Sequence, residues 1–187
     1  MMKSYRCLQQ QIFRYGKFSL VPLRSEDKFQ IMKWRNEQIY HLRQQNPLTA
    51  EDQEKYFNTV VAALFEQEQP SQILFSYLLD DTCIGYGGLV HINWKDRHAE
   101  ISFIINTELE KDFFEEHWVN YLSLIEQVAF NALSLHKIFT YAFDLRPRVY
   151  EALETADFKP EARLKEHCFF EDKFIDVVIH SKIKKGR

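Results

Sequence analysis

Glycine is scarce in this chain, and its distribution excludes two large enzyme classes. Only five glycines occur in 187 residues, and three of them, Gly85, Gly87 and Gly88, stand almost side by side. P-loops and dinucleotide-binding fingerprints both need spaced glycines at a turn from a strand into a helix. The two remaining glycines, Gly16 and Gly186, supply no such spacing. The sequence therefore argues against P-loop nucleotidases and Rossmann dehydrogenases.

Cysteine, metal-binding motifs and long apolar runs are also lacking. The three cysteines, Cys7, Cys83 and Cys168, are odd in number and widely spaced, which favours free thiols in a reducing compartment over a disulfide framework. Neither a Cys-x-x-Cys nor a His-Glu-x-x-His motif is present, so we expect no metal site. The apolar runs are too short to cross a bilayer, and the first residues show no apolar signal region. We expect a cytoplasmic protein without a membrane partner.

Charge of one sign is not in excess either. The formal net charge is −3, which gives no broad basic surface for nucleic acid. Hydrophobic residues make up 45% of the chain and charged residues 27%, the ordinary balance of a soluble folded protein. At this length we expect one domain over residues 1–187, with residues 1–17 as an N-terminal extension.

Apolar periodicity predicts a mixed order of elements, β-αα-βββ-α-β-α-ββ. A helix capped by Ser25 runs through Trp34, and Thr49 to Asp52 resembles a capping box that opens a second helix. Helices are also predicted around residues 118–133 and 147–155. Strands are predicted at residues 18–23, 73–79, 83–91, 98–105, 137–143, 158–170 and 173–183. Helices among mostly antiparallel strands indicate an α+β layer fold.

Four segments in this order resemble one enzyme family. They are Trp34-Arg35-Asn36 followed by Arg43, Ala99-Glu100-Ile101, Ala129-Phe130 through Leu135-His136-Lys137-Ile138, and Glu161 to His167 through Phe174 to Val178. The set is similar to the GNAT superfamily of acyl-CoA-dependent N-acetyltransferases, nearest to its ribosomal-protein and amino-sugar-nucleotide branch. The resemblance implies the GNAT fold, a mostly antiparallel central sheet flanked by helices, and acetyl-CoA as co-substrate.

The segment that follows the Glu100 strand departs from the family pattern. GNAT enzymes usually bind the pyrophosphate of acetyl-CoA on a Gln/Arg-x-x-Gly-x-Gly/Ala loop at a helix N-terminus. Here residues 106–117 contain no glycine, and they hold five carboxylates against one lysine. Each carboxylate near a phosphate costs roughly 0.5–1 kcal/mol in a water-like dielectric. Arg146 and Arg148 are the candidate replacements for phosphate binding, or they are solvated residues at a helix start.

Two residues are candidates for the chemistry that the resemblance implies. Glu100 is the candidate base, because a substrate ammonium must lose a proton before its nitrogen attacks a thioester; the alternative is a structural carboxylate. Where the family carries a tyrosine acid, this sequence has Leu153, so Tyr150, three residues earlier, is the candidate acid, with core packing as its alternative. The backbone of Ile104 and Ile105, at the end of the Glu100 strand, is expected to hold the pantetheine arm.

Residues before and beside the predicted pocket are candidates for acceptor binding. Arg35 and Asn36 flank it, and an arginine holds a phosphate or carboxylate in a fork. His91 ends the neighbouring strand, and histidine is a common general base and substrate contact in enzymes. The alternative for Arg35 and Asn36 is a structural cap or a surface ion pair. The alternative for His91 is a half-exposed histidine at a strand end.

These observations lead to one main hypothesis of function and two alternatives. The main hypothesis is an acetyl-CoA-dependent N-acetyltransferase acting on a primary amine of a small molecule, such as an amino-sugar nucleotide, or of a protein N-terminus. The first alternative is a non-catalytic GNAT-fold binding or regulatory protein that has lost CoA binding. The second is an acyltransferase that holds CoA through side-chain cations. Phe113, Phe114 and Trp118 are expected to cover an acyl chain or adenine ring, or to form a homodimer contact.

Overall fold

A computed structural model describes residues 3–186, and these residues form one eight-stranded sheet with helices around it. The strands are β1 (Phe13–Tyr15), β2 (Phe18–Pro22), β3 (Ile73–Leu79), β4 (Thr82–Asn93), β5 (His98–Ile105), β6 (Lys137–Phe143), β7 (Lys159–Phe170) and β8 (Lys173–Ile183). The helices are α1 (Lys28–Glu37), α2 (Ala50–Tyr56), α3 (Ala62–Glu66), α4 (Thr107–Asp112), α5 (Phe114–Glu126) and α6 (Arg148–Thr155). None of the helices in this part of the chain is long and apolar enough to span a membrane.

The sheet has the order β1-β2-β3-β4-β5-β6-β8-β7. Neighbouring strands run antiparallel throughout, except that β5 and β6 are parallel. A parallel pair needs a long crossover connection, and here α4 and α5 supply it. The predicted α+β class with a mostly antiparallel sheet is confirmed.

Several local predictions are confirmed and others are wrong. The capping box of Thr49 and Asp52 forms, and the helix it opens continues through a π-helical turn at Phe57–Val61 into α3. Ser25 does not cap a helix; it begins a 3₁₀ turn, and α1 starts three residues later at Lys28. The sequence analysis missed β1 and α4, which have three and six residues and are too short for a periodic signal.

The N-terminal extension is packed into the domain. The buried Tyr5 hydroxyl donates to the carbonyl of Leu74 at 2.7 Å and accepts from its N–H at 3.0 Å. Phe13, in β1, is also buried, and β1 adds an edge strand to the sheet. Residues 3–17 therefore stabilise the β2–β3 side of the sheet.

The glycines of β4 allow neighbouring groups to approach closely. A Cβ added at Gly87 would lie 2.1 Å from the carbonyl oxygen of Ser102 and 2.5 Å from the hydroxyl of Tyr121. That hydroxyl donates to the Ser102 carbonyl at 2.8 Å, crossing the space that a side chain at Gly87 would need. Glycine is therefore required at this position by packing within the sheet.

We predict that Gly87→Ala lowers the free energy of unfolding by at least about 3 kcal/mol, because the new methyl group collides with backbone that cannot move alone. Urea unfolding measures this change. Gly186→Ala is the matched control, since nothing lies within 4 Å of that Cβ, and its effect should stay within about 0.5 kcal/mol. Equal stability of the two variants would contradict the packing argument.

Candidate functional site

A cleft opens between β5 and β6 where their pairing ends. The two strands pair at His98 with Lys137, Ala99 with Ile138, and Glu100 with Phe139. Beyond Glu100, β5 stays paired with β4 and β6 stays paired with β8, so the two halves of the sheet diverge. The cleft encloses about 120 Å³, and residues of both strands, Trp118 of α5 and Arg146 line it.

The backbone groups of β5 alternate between the two edges of the strand. Gly85 and Gly87 both lie on β4. A Cβ added at Gly87 would lie 2.1 Å from the Ser102 carbonyl oxygen, and one added at Gly85 would lie 2.6 Å from the Ile104 carbonyl oxygen. Ser102 and Ile104 therefore direct their carbonyls toward β4. By the same alternation, Phe103 between them and Ile101 before them direct their N–H and C=O groups to the opposite edge of the strand, which faces the cleft.

Ile101 and Phe103 are the residues whose backbone faces the cleft. The sequence analysis chose Ile104 and Ile105, but the Ile104 carbonyl points to β4. The carbonyl of Ile105 accepts a hydrogen bond from Gln38 Nε2 at 2.7 Å. The Ile104 and Ile105 carbonyls are thus committed to other neighbours, and a ligand chain in the cleft would meet Ile101 and Phe103 first.

A buried carboxylate lies at the closed end of the cleft, where the two strands meet. The side chain of Glu100 is 7% exposed. One oxygen accepts from Arg43 Nη2, and the other lies 2.8 Å from His91 Nδ1. Because the Nδ1 side of His91 is bound to this carboxylate, its Nε2 is left toward solvent, and the imidazole is 65% exposed.

A bulge in β4 turns His91 toward Glu100. The pairing of β4 with β5 shifts between Val90 and Asn93, and His91 adopts a φ of 49° within the bulge. Left-handed backbone is costly for a residue with a Cβ, and such strain is concentrated at functional sites. The bulge thus joins an exposed imidazole to a buried carboxylate.

Arg35 and Asn36 hold the loop that carries Arg43. The side-chain oxygen of Asn36 accepts from the Leu48 N–H at 2.8 Å and from Gln44 at 3.0 Å, and its amide nitrogen donates to the Leu48 carbonyl at 2.9 Å. Arg35 Nε donates to Gln44 at 3.0 Å. Neither residue belongs to the lining of the cleft, and the polar groups of both are bound within the protein.

Tyr141 of β6 is the tyrosine that lines the cleft. The Arg43 guanidinium lies 4.8 Å from the centre of its ring, and its hydroxyl is 3.7 Å from Cys168 Sγ. Burial, followed by the neighbouring thiol, raises the pKa of Tyr141 to about 12. The phenol therefore keeps its proton at neutral pH and is available as a donor.

Tyr150 lies outside the cleft. Its hydroxyl donates to Asp144 Oδ1 at 2.8 Å, and its ring stacks on His180 with centroids 5.1 Å apart. Burial, followed by the bond to Asp144, raises the pKa of Tyr150. Tyr150 and His180 line a separate depression between α6 and β7. The sequence analysis treated Tyr150 and Leu153 as lying on the same helical face. Three residues turn an α-helix by about 300°, so the two side chains differ in direction by about 60°.

Two arginines and one carboxylate lie near the open end of the cleft. Glu110 of α4 is 6% exposed, and its Oε1 accepts from Arg146 Nη1 at 3.1 Å and Arg148 Nη2 at 2.9 Å. The Arg148 guanidinium lies 4.1 Å from the centre of the Phe114 ring. The acidic segment that follows β5 therefore supplies an internal partner for the two cations.

His41 lines the same cleft and is held neutral. Burial, followed by the positive charge of Arg146, lowers the pKa of His41 to about 3. Its Nε2 lies 3.3 Å from Gln38 Oε1. The imidazole thus adds no positive charge near the arginines at neutral pH.

A wider groove adjoins the cleft on the side of Arg43. It encloses about 630 Å³, and its lining is mainly apolar and aromatic, with Arg43 and Glu171 as its charged side chains. The lining includes Tyr40, Phe143, Phe169 and Phe170. The groove shares Leu42, Arg43 and Phe143 with the lining of the cleft, so a molecule bound in the groove lies next to the cleft.

Sequence reasoning missed three residues of the site, Tyr141, His41 and Glu110. Alternation along β6 places Tyr141 two residues after Phe139, the last residue paired with β5, and this spacing was available as a signal. No sequence pattern pairs Glu110 with arginines 36 and 38 residues away. The predicted Glu100, His91 and Arg146 do come to the cleft or its edge.

Comparison with known proteins gives one family. The family model for the acetyltransferase (GNAT) domain matches residues 20–179. The search of curated proteins gives no significant match.

Solved structures show the same fold. Spermidine N-acetyltransferase from Vibrio cholerae, in complex with CoA and spermine, is similar with a TM-score of 0.76 and 21% identity over 90% of this chain and 96% of that one. A dodecameric structure of the spermidine N-acetyltransferase from the same organism gives a TM-score of 0.70 and 22% identity over 90% and 95% of the two chains. A probable acetyltransferase gives 0.76 and 18% identity over 92% and 97%.

We predict that His41→Gln reduces the loss of stability in mild acid. The unfolded chain protonates this imidazole below a pH of about 6.5, whereas the folded protein resists protonation until far lower pH. Stability is therefore full above that pH and falls as the pH drops toward 3. Between pH 7 and pH 5, urea unfolding should show a loss smaller by about 2 kcal/mol in the variant. His136→Gln, at an exposed site, is the control; equal losses in both variants would reject the assignment.

Proposed function

Because the chain belongs to the GNAT acetyltransferases, we propose that it transfers the acetyl group of acetyl-CoA to a primary amine that enters through the aromatic groove. The observation that carries the proposal is the buried Glu100 at the closed end of an open strand pair. This arrangement joins a proton acceptor to unpaired strand-edge groups that a thioester chain can use.

The residues of the cleft fit acetyl-CoA. The cleft-facing backbone of Ile101 and Phe103 offers donors and acceptors to an amide-bearing arm, in the way that an added strand is bound. Arg146, at the cleft edge, has N–H groups beyond the one that it gives to Glu110, and these suit a phosphate. These features favour binding through side-chain cations in a chain that lacks the glycine loop.

Glu100 is the proposed base. The substrate ammonium gives a proton to Glu100, and the freed nitrogen forms a C–N bond with the acetyl carbon while the C–S bond breaks. His91, bound to the second carboxylate oxygen at 2.8 Å and exposed on its other side, passes the proton to solvent. Arg43 holds the carboxylate in place and is a positioning residue.

Tyr141 is the proposed acid. The thiolate that leaves the acetyl group needs a proton, and a phenol with a pKa of about 12 carries one at neutral pH. The proton that the attacking nitrogen loses as it becomes the amide returns Tyr141 to its phenol form by way of solvent, so the step balances. Tyr141 lines the cleft, whereas the hydroxyl of Tyr150 is directed to Asp144. We therefore assign the donor role to Tyr141 instead of Tyr150.

The groove supports an acceptor with a single amine on an apolar or aromatic body. A polyamine carries several positive charges and needs several carboxylates, while the groove lining contains Glu171 and the positively charged Arg43. A small-molecule amine and a protein N-terminus with an apolar first residue both meet this requirement. Arg43 also suits an acidic substituent near the amine, as in a phosphate-bearing amino sugar.

We predict that the protein releases CoA thiol from acetyl-CoA in the presence of such amines, and that Glu100→Gln lowers kcat by about 10²–10⁴-fold because the base is lost. KM for acetyl-CoA should stay within about threefold, since Glu100 acts on the acceptor. Thiol release and the mass of the acetylated product measure the reaction. No binding of acetyl-CoA at millimolar concentration would favour the non-catalytic alternative, and unchanged turnover would remove Glu100 from the mechanism.

We predict that Tyr141→Phe lowers kcat by about 10²-fold with acetyl-CoA, whereas Tyr150→Phe leaves it within about twofold. Both variants keep the ring and remove one hydroxyl. The defect of Tyr141→Phe should shrink with an aryl thioester donor, because an acidic thiol leaves without a proton. A defect of the same size with both donors would assign Tyr141 a structural role.

A further inference from the structure

Glu110 is a buried carboxylate that the proposed chemistry does not use. Its Oε1 accepts hydrogen bonds from both Arg146 and Arg148, and its backbone carbonyl accepts a further bond from Arg148 Nη1 at 3.2 Å. Arg146 lines the cleft, and the side chain of Arg148 is 44% exposed. The carboxylate therefore lies between one cation that faces the cleft and one that faces solvent.

The charges in this cluster do not balance. Two guanidinium groups share one carboxylate oxygen, and the nearby His41 is neutral, so a net positive charge remains. A guanidinium has five N–H donors, and Arg146 directs one nitrogen to Glu110. The cluster thus attracts an anion, while Glu110 holds one nitrogen of Arg146 and both terminal nitrogens of Arg148.

Glu108 and Asp112, the other acidic residues of α4, are exposed, whereas Glu110 is buried against the two arginines. Glu108 forms its ion pair with Lys111 at 2.9 Å, and both side chains are exposed. Thr107 is bound to Glu37 at 2.6 Å, so the start of α4 is tied to α1. Glu110 is consequently the member of α4 whose charge acts on the arginines, and Glu108 is a matched reference on the same short helix.

We propose that the Glu110 carboxylate is an internal competitor that occupies Arg146 and Arg148 and must be displaced before the diphosphate group of acetyl-CoA binds them. The inference rests on the proposed function, because it names the group that sets the affinity for the co-substrate. Carboxylate and phosphate oxygens use the same guanidinium fork, and a diphosphate brings at least two negative charges to two cations. The exchange releases Glu110, on a helix of six residues, toward solvent.

The test is calorimetric titration of the full-length protein and of Glu110→Gln with acetyl-CoA and, separately, with inorganic pyrophosphate. Removal of one negative charge beside the bound anion should increase the affinity for both ligands by about tenfold, and this increase should become smaller as the salt concentration rises. Glu108→Gln should bind both ligands as the unmodified protein does. Glu110→Ala, which also removes the charge, should tighten binding in the same direction and serves if the glutamine variant does not fold.

Unchanged or weaker binding of both ligands to the Glu110 variants would overturn the proposal, and weaker binding would show that Glu110 positions the arginines. An equal increase in affinity for the two ligands in Glu108→Gln would also overturn it, because the change in overall charge of the protein would then explain the effect. Failure of the proposed function has a different signature. If the protein acetylates no amine while Glu110→Gln still binds pyrophosphate about tenfold more tightly, the competitor role is supported and the proposed function is rejected. If the protein acetylates an amine and the Glu110 variants do not bind the two ligands more tightly, the proposed function is supported and the competitor role is rejected.

Discussion

The parallel pairing of β5 with β6 is the constraint on which the site depends. Each strand is held along most of its length by an antiparallel neighbour, β5 by β4 and β6 by β8. The pairing of β5 with β6 ends after Glu100, while both antiparallel ladders continue, so the shared edge separates there. Strand-edge N–H and C=O groups need partners, and inside a cleft a ligand chain can supply them. The divergence of the two sheet halves thus creates the cleft.

The electrostatics of the cleft follow from this geometry. At the closed end a carboxylate is too buried to remain unpaired, and Arg43 and His91 satisfy its two oxygens from different elements. At the open end the positive charges outnumber the negative one. Arg148, at the start of α6, and Arg146, two residues before it, both bind the carboxylate of Glu110. The two clusters thus have opposite composition, with a carboxylate surrounded by Arg43 and His91 at the closed end and two arginines around one carboxylate at the open end.

The sequence predicted most strands and the long helices, because alternation and helical periodicity report burial on one face. It did not predict contacts made across the fold. Tyr150 and Tyr141 are nine residues apart in the chain, and only the observed rotation of α6 and the divergence of β6 show which one meets the cleft. Arg35 and Asn36 were identified by resemblance, yet their polar groups are used to hold the Arg43 loop, a role that depends on distant hydrogen bonds.

The acidic segment after β5 shows why a count of charges differs from a charge distribution. Five carboxylates in residues 106–117 suggest a surface hostile to phosphates. In the fold, Glu108 is neutralised by Lys111, and Glu110 is turned inward onto two arginines that follow it by more than thirty residues. The mouth of the cleft is therefore less negative than the charge count of this segment suggests, and its inward carboxylate, Glu110, is the group whose removal we propose to change anion affinity. In the binding mode that we propose, side-chain cations replace backbone N–H groups as the phosphate donors, and a chain that lacks a glycine loop thereby retains its co-substrate.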